Sequence, residues 1–285
     1  MKKILLTTDL SANADRAMER AIQIAKAQGA QLHIVHVLPS YKAKKLQDTL
    51  KQDTADLVLE YFNKYKSAKG LKPKIQILDG PSPHEVILDY AHKIKADLIV
   101  AGMHGKAKFR DLFVGTTIER IARKTAKPLL LVKNKTTGDY QSIIGAVDFA
   151  PASRAALRTA MKLSPKAVFE IVHCYETPIG YPTTAGFAIA YYEETEKTQH
   201  KAIDAFIKTE AAHFKKMHKG ASMRLGRKLV EGPALSTLMK EAKTVKADLI
   251  TIGAHGAPII TPSKLGGLAE DVLANPPCDV LLVRE

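Results

Sequence analysis

The chain has 285 residues, 46% of them apolar, and carries 43 lysines and arginines against 29 aspartates and glutamates, a net charge of +14. The apolar fraction suffices for two ordinary cores, the length fits two domains, and no apolar run reaches the ~20 residues of a membrane-spanning helix. The charge is uneven: residues 1–140 hold 25 basic against 14 acidic side chains, residues 141–285 hold 18 against 15. A basic field draws anions in general. Around Lys42, Lys44 and Lys45, however, no aromatic residues interleave to stack bases, and neither zinc-finger spacing nor an arginine-rich arm occurs, so nucleic acid is not the expected partner.

Met1 to Asp9 has too short an apolar run, ended at once by an acidic residue, for a secretory leader. It reads as a first strand over 3–8. Residues 12–28 then repeat Ala14, Ala17, Met18, Ala21, Ile24 and Ala25 at helical spacing, with Gly29 as C-cap. A second strand is expected over 31–37 and a more polar helix over 46–67. The third strand spans 74–78, and Ser82-Pro83-His84-Glu85 reads as a helix start with Ser at N-cap, Pro at N1 and Glu at N3. A fourth strand over 98–101, a helix over 118–126 and a fifth strand over 129–132 complete the set. Residues 135–141 form a linker, and the second half follows the same plan. One segment departs from it: residues 176–192 mix Pro178, Gly180, Pro182 and Gly186 with Tyr181, Phe187, Tyr191 and Tyr192, just after Tyr175, and read as a loop, either a lid or one folded onto its own domain. Cys174 and Cys278 lie in apolar strand-like runs. They make neither a disulfide framework nor a metal set, and are expected as buried thiols of a cytoplasmic protein.

The sequence is written twice. Lys95-Ala96-Asp97-Leu98-Ile99 leads to Gly102-Met103-His104-Gly105, and Lys246-Ala247-Asp248-Leu249-Ile250 leads to Gly253-Ala254-His255-Gly256. Gly115 and Gly266 follow at equal distance. Ile4 to Asp9 matches Ile143 to Asp148, Ile34-Val35-His36-Val37 matches Ile171-Val172-His173-Cys174, and Asp79-Gly80-Pro81 matches Glu231-Gly232-Pro233. A repeat of this length is a domain, not a solenoid unit. Two α/β domains are expected, 1–135 and 142–285. Each is an open five-stranded parallel sheet of order 3-2-1-4-5 with helices on both faces, a Rossmann-like arrangement.

In such a sheet the ligand crevice lies beyond the carboxyl ends of strands 1 and 4, where the winding reverses. There Thr8 and Asp9 meet the loop that begins at Gly102. Glycines let backbone N–H groups approach an anion, the following helix start favours negative charge, and the hydroxyls of Thr116 and Thr117 can donate to phosphate oxygens. Asp9 has two open readings, as cap of the next helix or as ligand contact. This order, with strand–Asp9, Val35-His36-Val37 and Gly102-x2-Gly105-x9-Gly115-Thr116-Thr117, resembles the universal stress protein family over essentially the whole chain.

The resemblance implies ATP, with ADP or AMP as alternatives and Mg2+ accompanying ATP. Thr8, Asp9 and the backbone of Val37 would lie at the adenine and ribose end. Gly102, His104, Gly105, Gly115, Thr116 and Thr117 would lie around the phosphates, with Lys106, Lys108 and Arg110 in the intervening loop. In the second half Gly253, Gly256, Gly266 and Asp148 persist, but Gly267 and Leu268 stand where the threonines would be, so weaker nucleotide binding is expected there. No P-loop lysine, paired acid–base set or nucleophile elbow is present, and His104 and His255 read as loop histidines that pack or bond to backbone rather than as general bases. The family implies binding and signalling through a protein partner. Slow ATP hydrolysis or autophosphorylation at Thr116 or Thr117, an adenine-nucleotide-dependent enzyme, and a scaffold without nucleotide remain as alternatives. The apolar fifth strands, 129–132 and 280–283, would be sheet edges, and pairing them within one chain would make a built-in dimer that can dimerise further.

Overall fold

A computed structural model of the chain describes residues 1–103, 117–176, 185–255 and 265–284. The first half runs β1 (Lys3–Thr7), α1 (Ala12–Gln28), β2 (Gln31–Leu38), α2 (Lys44–Asn63), β3 (Lys74–Asp79), α3 (Pro83–Lys93), β4 (Leu98–Gly102), α4 (Thr117–Lys124) and β5 (Leu129–Val132). The second runs β6 (Ser142–Ala146), α5 (Pro151–Leu163), β7 (Val168–Tyr175), α6 (Ala185–Met217), β8 (Arg224–Glu231), α7 (Ala234–Thr244), β9 (Leu249–Gly253), α8 (Gly267–Ala274) and β10 (Asp279–Val283). All ten strands form one sheet, β3-β2-β1-β4-β5-β10-β9-β6-β7-β8. Within each half the pairing is parallel and the order is 3-2-1-4-5. At the seam β5 and β10 pair antiparallel, with Leu130 opposite Leu281, so neither apolar strand is left as an edge.

Two clusters of buried residues cover the faces of the sheet, and each runs through both halves. One packs α1, α2, α5 and α6 on the alternate strand residues Ile4, Leu6, Ile143 and Leu249. The other packs α3, α4, α7 and α8 on Leu5, Ile99, Ile144 and Ile250. This is the period-2 alternation of a sheet buried on both sides. Helix α1 shows how local chemistry sets an element. Ser11 caps it by accepting the N–H of Ala14 at 3.4 Å, and Gly29 ends it in the left-handed conformation (φ 59) that costs glycine nothing. Its Ala21, Ile22 and Ala25 are fully buried, with Ile22 alone contributing about 1.5–3 kcal/mol of hydrophobic stabilisation.

Three expectations need correction. Residues 185–192 are helix, not loop: α6 begins at Ala185 and runs 33 residues. The polar helix of the first half spans 44–63, and 66–68 form a separate 3-10 turn. The Ser82 hydroxyl makes no capping bond to the backbone; it pairs instead with Nδ1 of His84 at 3.0 Å.

Candidate nucleotide crevice

β1 and β4 are neighbours with Thr7 opposite Ala101. Their chains then leave in opposite directions, β1 toward β2 and β4 toward β5, which opens a crevice at their carboxyl ends. On its β1 side Thr8 is buried, and its hydroxyl accepts the N–H of Leu10 at 3.1 Å. Asp9 is exposed, and its Oδ1 accepts the N–H of Ser11 at 3.0 Å. Leu10, next in the chain, holds φ 60, a left-handed conformation uncommon for a leucine and stabilised here by those two bonds. Nδ1 of His36 bonds the carbonyl oxygen of Thr8 at 2.9 Å, tying β2 to the turn. Val37 is half-buried two residues past the Thr7–Val35 pair. Gly102, half-buried, ends β4, and Thr117 begins α4. The structure thus gathers Thr8, Asp9, Val37 and Gly102 at one end of the sheet. His104, Gly105, Gly115 and Thr116, with Lys106, Lys108 and Arg110, lie outside the described residues.

The second half builds the same turn. Oδ1 of Asp148 accepts the N–H of Ala150 at 3.1 Å, Phe149 holds φ 64, and Nδ1 of His173 bonds the carbonyl oxygen of Val147 at 2.8 Å. Here the crevice is a cavity of about 230 Å³, whose lining includes Val147, Asp148, Cys174, Gly253, Gly266, Gly267 and Leu268. By the repeat these are the counterparts of Thr8, Asp9, Val37, Gly102, Gly115, Thr116 and Thr117. The cavity also takes Ser153 from α5 and Leu238 from α7, which the glycine spacing did not signal. Cys278 is buried as expected, but Cys174 is only half so, because it reaches the cavity wall at the strand end. Burial still pushes its thiol above the ordinary range, against a hydrogen bond with Thr237, so it is a poor nucleophile.

His255, the counterpart of His104, has its Nε2 3.2 Å from a guanidinium nitrogen of Arg284. The two aspartates of the Lys-Ala-Asp repeat serve the other end of the sheet. Asp97 accepts the N–H groups of Lys2 (2.6 Å) and Lys3 (3.0 Å), and Asp248 those of Gln141 (2.7 Å) and Ser142 (3.2 Å). Among the described residues no three metal-ligating side chains converge, and no helix is long and apolar enough to cross a membrane.

One ten-stranded sheet built from two repeats, each with its chain reversal between first and fourth strands, defines a duplicated doubly wound α/β protein. The chain belongs to the universal stress protein family, whose model matches residues 1–133 and again 139–284. It is 31% identical over 140 residues to the universal stress protein MJ0531 of Methanocaldococcus jannaschii, covering 46% of this chain and 82% of that one. To MJ0577 of the same organism it is 27% identical over 158 residues, covering 48% and 97%. The crystal structure of a universal stress protein from Archaeoglobus fulgidus matches with a TM-score of 0.72 over 99% of this chain and 98% of that one, at 17% identity, a likeness of fold.

Proposed function

We propose that this universal stress protein binds ATP in the crevice of its first half and signals its nucleotide state to a protein partner. The observation that supports the reading most is the shape of the second half. There the counterparts of seven of the nine expected contact positions line one cavity, so the backbone plan of this repeat leaves room at those positions. In the first half the same positions include Thr8, Thr116 and Thr117, whose hydroxyls suit a ribose and phosphates. The start of α4 favours negative charge, and the net charge of the first half would draw a polyphosphate. Thr8, Asp9 and the Val37 backbone hold adenosine in this reading; Gly102, His104, Gly105, Gly115, Thr116 and Thr117 hold the phosphates, with Mg2+ arriving on ATP. The seam between β5 and β10 makes the chain its own dimer, and the free cysteines fit the cytoplasm.

Denaturing the natively purified protein and identifying the nucleotide released tests the reading, with titration calorimetry against ATP. Asp9→Ala should weaken ATP about ten- to a hundredfold, the equivalent of a hydrogen bond to a charged group at about 1.5–3 kcal/mol. Neither copurified nor titratable nucleotide would leave a scaffold. Sustained turnover of a second substrate would make it an enzyme.

A further inference from the structure

The cavity of the second half differs from a phosphate site in chemistry as well as sequence. Its walls are the side chains of Ala146, Val172, Leu238, Ile252, Leu268 and Ala269. Its polar side chains are largely engaged. The Ser153 hydroxyl donates to the Ala150 carbonyl at 3.0 Å and lies 3.4 Å from the amide of Asp148; Cys174 bonds Thr237. Asp148 gives one oxygen to Ala150, sits exposed at the mouth, and makes no ion pair among the described residues. No lysine, arginine or histidine is among the described lining residues. An anion would therefore meet the Asp148 carboxylate and apolar walls, with no cation among the described lining residues to offset the repulsion.

The floor is fixed by backbone. A Cβ on Gly253 would stand 2.8 Å from the amide nitrogen of Ser153 and 3.1 Å from Ala152, so β9 and the start of α5 are packed as closely as glycine allows. The cavity is pre-formed, as small-molecule sites usually are. About 230 Å³ falls below the ~300–1,000 Å³ of sites for drug-sized ligands. At ~30 Å³ per water it holds the equivalent of about eight waters, enough for two fused rings.

We propose that the crevice of the second half binds an uncharged, mostly apolar molecule of about two fused rings, which donates one hydrogen bond to Asp148, and that it rejects phosphate-bearing ligands. The two crevices of one chain then read different chemistries. Where the first half has Thr8 and Thr117, the second has Val147 and Leu268, and each exchange trades a hydroxyl for apolar wall.

Indole is the probe, an apolar bicycle with a single N–H donor; benzothiophene has the same shape without the donor. The full-length protein is methyl-labelled, and the methyl resonances of Val172, Leu238, Ile252 and Leu268 are followed. Indole should shift them saturably below about 1 mM, benzothiophene about tenfold more weakly, the lower bound for a hydrogen bond to a charged group. ATP and AMP should leave them in place whether or not the first half binds nucleotide. Asp148→Ala should abolish the preference for indole over benzothiophene. Ala146→Leu, which fills the cavity with more apolar volume, should abolish indole shifts while the rest of the spectrum stays folded. The proposal is overturned if indole produces no saturable shift, if Ala146→Leu leaves the shifts intact in a folded protein, if the indole preference survives loss of the carboxylate, or if AMP or ATP moves these methyls at lower concentration than indole.

Discussion

Replacing Asp279 with alanine should loosen both halves at once. This carboxylate at the start of β10 is fully buried and serves four groups. Its Oδ1 accepts the amides of Lys133 at 2.9 Å and Asn134 at 3.0 Å, just past β5. Its Oδ2 accepts the Tyr140 hydroxyl at 2.7 Å and faces Nε of Arg20, from α1, at 3.6 Å. Burial first, then the charge of Asp279, pushes the Tyr140 hydroxyl well above its ordinary range, which keeps it a donor. The Arg20 guanidinium also stacks on the Tyr140 ring, 3.9 Å from its centroid. In the alanine variant Arg20 retains its bonds to Gln23 and to the Gly138 carbonyl, but its buried charge loses its paired carboxylate and keeps only the weaker attraction of Asp248. Removing one partner of such a pair costs about 3–5 kcal/mol, a figure that already contains the cost of the groups left unpaired. A loss of about 4 kcal/mol is expected. Urea unfolding followed by circular dichroism measures it, the chain having no tryptophan. Because the carboxylate joins α1, the linker and β10, one transition should also separate into two. Adding Arg20→Met to the variant should restore at least about 1 kcal/mol, since coupled neighbours are not additive. A loss under about 1 kcal/mol, or strict additivity with Arg20→Met, would refute the reasoning.

Arg284 donates to the carbonyl oxygens of Arg123 at 2.6 Å and Ala122 at 3.5 Å, in the last turn of α4. Arg284→Ala should therefore cost about 1–2 kcal/mol in urea titrations, with lysine restoring less than half because it lacks the fork. Glu210 on α6 is buried between Arg154 and Arg158 of α5, so Glu210→Gln should lose about 1–3 kcal/mol in the same measurement, through the charge-assisted bonds alone. His33 is buried, its Nδ1 2.9 Å from the Tyr90 hydroxyl, and burial, then Lys74 and Lys3, holds its pKa below the ordinary value of 6.5. The unfolded chain then takes up the proton first, so its contribution is whole above pH 6.5 and disappears as pH falls through the depressed folded value. Stability measured at falling pH should decline less steeply in His33→Gln, which keeps a partner for Tyr90 without titrating; an unchanged slope would exclude His33 as a source.

The strand order and the place of the crevice were legible because the repeat states them twice and parallel βαβ winding leaves few alternatives. Long-range partners were not. Asp97 reads as part of a strand motif, yet its work is to hold amides 94 and 95 positions away. The start of α6 was hidden by Pro178, Pro182 and Gly186, although Gly186 lies inside the first turn of that helix. Cys174 resembles any buried strand residue until the sheet ends beneath it.

Duplication within one chain separates what the backbone requires from what a ligand would see. His36 and His173 bond matching carbonyls. Asp9 and Asp148 accept matching turn amides. Leu10 and Phe149, like Lys95 and Lys246, share left-handed backbone. These positions recur because the same turn must be built in each half, whatever the crevice holds. Repetition of the aspartate is thus accounted for by folding, and a ligand role for Asp9 has to be established by affinity rather than inferred from recurrence. The positions that differ between the halves, Val37 against Cys174 and Thr117 against Leu268, carry no such shared bond, and Thr8 against Val147 shows that the turn forms without the Thr8 hydroxyl bond. They are where substitutions should change what binds without abolishing the fold. Val147→Thr with Leu268→Thr is the direct trial: the fold should lose about 1–3 kcal/mol, the cost of placing a hydroxyl at buried Val147, while methyl shifts with AMP, absent before, should emerge at Leu238 and Ile252.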